Sequence, residues 1–203
     1  MSNSGIKPNY FGIELDKKRL KFAKEEYKLK NIHSIPLQDD FWIENHKDSF
    51  DLITLWDVIE HVNSPKQIFE CSKTLLKEGG LLIMDTPCRN TFYHRFGQLT
   101  YKLSNGKFPT FLNIMYSNHP FGHKQILSKS DVDSLCNLSE HELKFIKVFH
   151  ELSFPVKSYL KKMFKSNVIV SLFNPFTKIA LKLLRINNKM IFVAKKKTTP
   201  NKE

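Results

Sequence analysis

Apolar positions along the chain fall into short runs of period two or none, separated by stretches with helical spacing. Tyr10-Phe11-Gly12-Ile13-Glu14-Leu15 reads as a short strand, and Asp16 is placed to cap the helix that follows. From Lys17 to Lys30, Leu20, Ala23 and Tyr27 recur at i, i+3 and i+7, one face of an amphipathic helix. Ile32 to Leu37 is a second strand, ending in Gln38-Asp39-Asp40. Phe50 to Leu55 is almost continuously apolar, the pattern of a strand covered on both faces. Pro65 can open a helix, which the spacing carries to Lys77 and stops at Gly79-Gly80. Leu81-Leu82-Ile83-Met84 is then a strand that breaks at Thr86-Pro87. The order β-α-β-β-α-β suits a parallel sheet covered by helices, so the expected class is α/β.

The second half is less regular. Asn90 to His123 has many aromatics and no strong period, and reads as a long connection or lid. Ser128 or Ser130 can cap a short helix through Val132, Leu135 and Leu138. Leu143 to Leu152 and Met190 to Ala194 alternate as strands. Between them, Phe154 to Asn188 is broken by Pro155 and Pro175 into what read as two basic amphipathic helices. After Pro175, Phe176, Ile179, Ala180, Leu183 and Leu184 form a stripe beside Lys178, Lys182 and Arg185. Packing of this stripe on the sheet is preferred slightly over contact with an anionic membrane surface. The expected organisation is one domain over residues 1–203, with a basic insertion at 154–188 and a flexible tail at 196–203.

Composition narrows the picture. The 203 residues are 41% hydrophobic, enough for a packed core. The longest apolar run in the basic segment, Val168 to Phe173, is too short to span a bilayer. No cationic start followed by an apolar segment marks a secretory signal. Cys71, Cys88 and Cys136 lack CxxC spacing and read as reduced, buried hydrophobes, as in a cytoplasmic protein. Net charge is +12, from 32 basic and 20 acidic residues. Residues 154–203 hold 12 of the bases and one acid, so the excess belongs to the last quarter. Only four of the bases are arginine, which disfavours sequence-specific nucleic-acid binding.

The chemistry-bearing residues sit at strand ends, where open parallel sheets bind ligands. Glu14 is placed to accept from a ribose diol, and Asp39 or Asp40 from an adenine amine. Taken singly, Asp16, Asp39 and Asp40 are better explained as helix or turn caps. Asp57, Glu60 and His61 fall at i, i+3 and i+4 of a helical reading and could chelate a cation. Service to a helix dipole is preferred there, and no metal is assigned.

The run Phe50-Asp51-Leu52-Ile53-Thr54-Leu55-Trp56-Asp57-Val58-Ile59-Glu60-His61-Val62 resembles the fourth-strand motif of class I S-adenosylmethionine-dependent methyltransferases. The similarity is to the branch that holds ubiquinone-biosynthesis O-methyltransferases and many sugar and small-molecule methyltransferases. Leu75 to Pro87, with its Gly79-Gly80 turn, is similar to that family's next motif. Phe11-Gly12-Ile13-Glu14 resembles its second strand. Phe121-Gly122-His123 with Ile126-Leu127-Ser128 is similar to a later His-containing element. Four motifs in order carry the resemblance over Tyr10 to Leu152 and the last strand.

The resemblance implies a Rossmann-like sheet of strand order 3-2-1-4-5-7-6 and S-adenosylmethionine as cofactor. Glu14 would hold the ribose, Asp39 (Asp40 the lesser choice) the adenine, and Leu55, Trp56 and Asp57 the methionine end. His61 or His123 would serve as base for the acceptor, although a plain backbone-bonded role suits His61 equally. Some relatives use a similar acid-x-x-Glu-His cluster for a divalent metal. The family's Gly-x-Gly-x-Gly loop and first strand should precede Tyr10, but Gly5 is the one glycine before it. The expectation is either a truncated chain or a sheet in which the second and fourth strands pair directly. The implied function is methyl transfer to oxygen or nitrogen of a small-molecule, sugar or lipid-linked acceptor. The alternative is a non-catalytic module of the same fold with peripheral contact to an anionic membrane.

Overall fold

The computed structural model describes residues 9–109, 112–113, 116, 122–138, 143–151, 156–164, 166–183 and 187–198. They divide into two units, one within the first 47 residues and one from residue 48 onward.

In the first unit, β1 (Gly12–Ile13) pairs in parallel with β2 (Ile32–His33) through the helix α1 (Lys17–Glu25). Asp16 caps α1, its carboxylate accepting from the Lys18 and Arg19 amides at 2.8 and 2.9 Å. Both strands are shorter than their apolar runs, and α1 stops short of Lys30. A further helix, α2 (Asp40–His46), was not foreseen. Its seven residues give too little length for a period to show. Trp42 is buried in an aromatic cluster with Phe11, His33, Phe41 and His46.

The second unit is built on a four-stranded sheet of order β3-β4-β6-β5, with β3 (Phe50–Leu55), β4 (Leu76–Pro87), β5 (Leu143–Glu151) and β6 (Lys189–Lys196). β3 and β4 run parallel, while β6 is antiparallel to both β4 and β5. This is the 4-5-7-6 part of the expected order. Of the two alternatives, direct pairing of the second and fourth strands is not found among the described residues, where β1 and β3 belong to separate sheets.

The core lies where period-two alternation points one face of the central strands at two helices. Leu82, Met84, Met190, Phe192 and Ala194 are all fully buried. α3 (Pro65–Leu75) and α5 (Lys129–Leu138) supply Ile68, Phe69, Leu75, Val132 and Cys136. The Phe192 ring sits 6.4 Å from Phe69 and 5.2 Å from Phe145, centroid to centroid. All three cysteines are buried thiols, and burial pushes that of Cys136 up to about 12.

Several expectations need correction. β3 is not covered on both faces: Asp51, Leu52 and Thr54 are exposed, as on a strand with one neighbour among the described residues. α3 ends at Leu75 rather than Lys77, and β4 begins at once, absorbing Gly79-Gly80 as an irregularity between the pairs Phe50–Leu76 and Leu52–Leu81. Gly79 has φ +76°, where a side chain would be strained, and a Cβ on Gly80 would lie 2.9 Å from the Lys77 carbonyl, so glycine suits both. Part of the aperiodic connection is a helix, α4 (Phe92–Leu103), capped by Thr91. The basic segment holds α6 (Val156–Met163) and α7 (Asn167–Leu183), and α7 runs through Pro175 instead of stopping there. Pro175 forfeits one hydrogen bond to the Ser171 carbonyl but does not end the helix. β6 reaches Lys196, whose ammonium pairs with Asp48 at 2.6 Å, so the tail does not start there. Phe121, Leu152, Phe154, Pro155, Leu184, Arg185 and residues 199–203 lie outside the described residues.

Candidate functional site

Three strands deliver one ionic cluster to a single edge of the sheet. Parallel pairing puts the carboxyl ends of β3 and β4 together, so Trp56-Asp57 and Asp85 emerge side by side. Antiparallel pairing brings the start of β6 to the same edge, where Lys189 stands opposite Pro87. Lys189 and Asp85 therefore share a sheet face as diagonal neighbours. The Lys189 ammonium bonds Asp85 Oδ2 at 2.7 Å and also pairs with Asp57 Oδ1. The Asp57 amide donates to Asp85 Oδ1 at 2.7 Å. Asp57 has φ +51°, a left-handed conformation uncommon outside glycine but among the more accessible for aspartate, and these bonds hold it there. Burial works against the Lys189 ammonium, yet the two carboxylates outweigh it and keep its pKa above that of ordinary lysine.

The chain from Trp56 to Asn63 is a series of bends and turns, not the helix that the i, i+3, i+4 spacing suggested. Residues 122–125 lace onto it from across the sequence. Lys124 N donates to the Glu60 carbonyl at 2.9 Å, and Gln125 Nε2 to the Ile59 carbonyl at 3.0 Å. His61 Nδ1 lies 3.2 Å from the Gly122 carbonyl. A carbonyl only accepts, so Nδ1 carries a proton in this contact, which in the neutral ring leaves the lone pair on Nε2. The His123 ring centroid is 5.1 Å from that of His61. Glu60 is fully buried, and neither carboxylate oxygen has a hydrogen-bond partner among the described residues. Burial pushes its carboxyl up to about 7, and the neighbouring Asp57 carboxylate adds to the rise.

The second unit thus brings together Leu55, Trp56, Asp57, His61 and His123. Leu55 is buried at the strand end, whereas Trp56 is 54% exposed. A cation-competent trio also forms, but with a different membership from the sequence reading. Glu60, His61 and His123 offer ligand atoms within 4.8 Å of one another, while Asp57 is engaged by Lys189. In the first unit, Glu14 follows β1, and its Oε1 accepts from the Asp16 amide at 2.9 Å. Asp39 caps α2 through the Phe41 amide at 3.0 Å, and Asp40 opens that helix. The capping role foreseen for Asp16 and Asp39 is present. Sequence reasoning missed Lys189 and Asp85 as site residues. Their signal was weak: one charged residue near the end of β4 and one at the start of β6, 104 positions apart.

A family model for the methyltransferase domain matches residues 2–138. A ubiquinone biosynthesis O-methyltransferase from Glaesserella parasuis is 49% identical over 39 residues, which is 19% of this chain and 16% of that protein. Among solved structures, a SAM-dependent methyltransferase from Archaeoglobus fulgidus superposes with a TM-score of 0.52 at 13% identity, covering 92% of this chain and 75% of that one. A putative S-adenosylmethionine-dependent methyltransferase from Listeria monocytogenes reaches a TM-score of 0.56 at 13% identity, covering 93% and 79%. At such identities these two likenesses concern the fold.

Proposed function

The chain belongs to the methyltransferase-domain family, and on that premise we propose that it moves the methyl group of S-adenosylmethionine to oxygen or nitrogen of a small-molecule, sugar or lipid-linked acceptor. The observation that carries this reading is the shared edge of β3, β4 and β6, where Trp56, Asp57, Asp85 and Lys189 converge. The donor set suits the cofactor. An exposed indole and two carboxylates, partly balanced by one ammonium, fit a ligand that carries positive charge on sulfur and nitrogen. When bound, S-adenosylmethionine supplies an electrophilic methyl group on a sulfonium, and the displacement needs alignment more than covalent help.

The residues divide the work. Leu55, Trp56 and Asp57 hold the methionine end, while Glu14 and Asp39 (or Asp40) take the ribose and adenine, as the family resemblance implies. Lys189 and Asp85 fix the direction in which Asp57 points. His61, with its proton parked on Nδ1 by Gly122, receives the acceptor's proton at Nε2. His123 stands beside it to share that proton.

Titration calorimetry with S-adenosylmethionine tests the reading, followed by release of S-adenosylhomocysteine against hydroxyl, amine and lipid-linked acceptors. Binding in the micromolar range with turnover on one acceptor class supports it. A folded chain that neither binds nor turns over defeats it and leaves the non-catalytic module.

A further inference from the structure

We propose that the exposed face of α7 is a docking surface for an anionic membrane, along which the helix lies in the plane of the headgroups. The inference stands on α7 itself and does not depend on methyl transfer.

Val156, Leu160 and Val170 form a small buried cluster that packs α6 against α7, with Phe164 and Leu181 partly buried beside it. This consumes one side of α7. Val168, Leu172, Phe176, Ile179 and Leu183 are between 56% and 77% exposed. At about 100° per residue these five fall within roughly 80° of arc, a single outward stripe. Ile169 and Phe173, also exposed, widen it on one side. The stripe does not pack on the sheet, contrary to the reading preferred from sequence.

The charge around it selects the occupant. Lys178 and Lys182 are exposed and lie on the flank of α7 between its buried side and the stripe, while Lys157 and Lys161 are exposed on α6. The sequence contains no Asp or Glu between Glu151 and Glu203. An apolar stripe of this width beside uniform positive charge matches a headgroup layer of anionic lipid over acyl chains. A nucleic acid would use the lysines but leave the stripe in water. A second copy of the chain would bring the same positive charge against itself. No helix among the described residues is long and apolar enough to cross a membrane. With 17 residues, α7 covers about 25 Å at 1.5 Å per residue.

The experiment is flotation of the full chain with vesicles of phosphatidylcholine containing phosphatidylserine, against phosphatidylcholine alone, at low and molar salt. The expected result is flotation with the anionic vesicles at low salt and release as salt rises. Lys178→Gln with Lys182→Gln should weaken partitioning about 25-fold, at about fivefold per lysine. Leu172→Glu with Phe176→Glu should abolish it. Both variants are checked for native circular dichroism and an unchanged thermal midpoint. A folded chain that does not float at low salt overturns the proposal. So does flotation that survives the Leu172→Glu, Phe176→Glu change. A dimer in light scattering that dissociates in that variant, without flotation of the parent, gives the face to a second copy and also overturns it.

Discussion

Asp57 and Asp85, 28 residues apart, are joined by a 2.7 Å bond from the amide of the first to the carboxylate of the second. Two acids meet at that point because Lys189 enters from β6 and pairs with both. Lys189 and Asp85 are largely buried, whereas Asp57 is 57% exposed in its side chain. Removing the ammonium strands mainly Asp85. Lys189→Met should therefore destabilise the chain by about 3 kcal/mol, the lower end of the range for broken buried pairs. Adding Asp85→Leu should restore much of that loss, as urea denaturation of the single and double variants would show. An unaffected midpoint in Lys189→Met would mean the pairs contribute nothing.

Glu60 sets a pH dependence of definite sign. Its folded pKa of about 7 lies above the ordinary 4.5 because burial penalises the charged form. The folded state therefore holds its proton longer than the unfolded state, and stability falls as pH rises from about 4.5 to about 7. That span is worth about 3 kcal/mol. In chelator-treated protein, Glu60→Gln should flatten this part of the stability profile and be the more stable form above pH 7. Parallel profiles for the two proteins would argue against a buried, protonated Glu60.

His61→Ala should lower kcat by about 10²–10⁴ while leaving S-adenosylmethionine affinity near that of the parent, because the proposed role is proton transfer rather than donor binding. A loss confined to cofactor affinity would instead place His61 in the donor pocket. Calorimetry and single-turnover assays separate the two.

Glu14→Ala should weaken S-adenosylmethionine binding by about 1.5–3 kcal/mol, the worth of a hydrogen bond to a charged acceptor. The local structure should survive, since among the described residues Glu14 accepts only the nearby Asp16 amide. An unchanged dissociation constant in the folded variant would remove Glu14 from the ribose role.

Phe192→Ala tests the core between α3 and the sheet. The side chain is fully buried against Phe69 and Phe145, so truncation should cost about 3–5 kcal/mol. Thermal denaturation would register it as a large drop in midpoint without loss of α/β secondary structure at low temperature.

The sequence by itself determined the elements whose signals are local and repeated. Phe50–Leu55 reads as β3 from its apolar run, Pro65 marks the first residue of α3, and alternation locates β5 and β6 to within a few residues. Asp16 and Asp39 announce their caps because a carboxylate before a helix meets free amides wherever it occurs. Tertiary structure decided what depends on distant partners. The turn at 56–63 carries helical spacing, yet its backbone bonds are taken by Lys124 and Gln125, so no helix forms. Asp57 joins Lys189 rather than a cation with Glu60 and His61, because β6 folds back antiparallel beside β4 and delivers an ammonium there. His123 reaches His61 through the same lacing, across 61 residues that no period spans. On α7 the sequence supplied an amphipathic stripe, but which side meets solvent follows from the packing of Val156, Leu160 and Val170. Periodicity fixes which residues share a face; only the contacts made by that face fix what it turns towards.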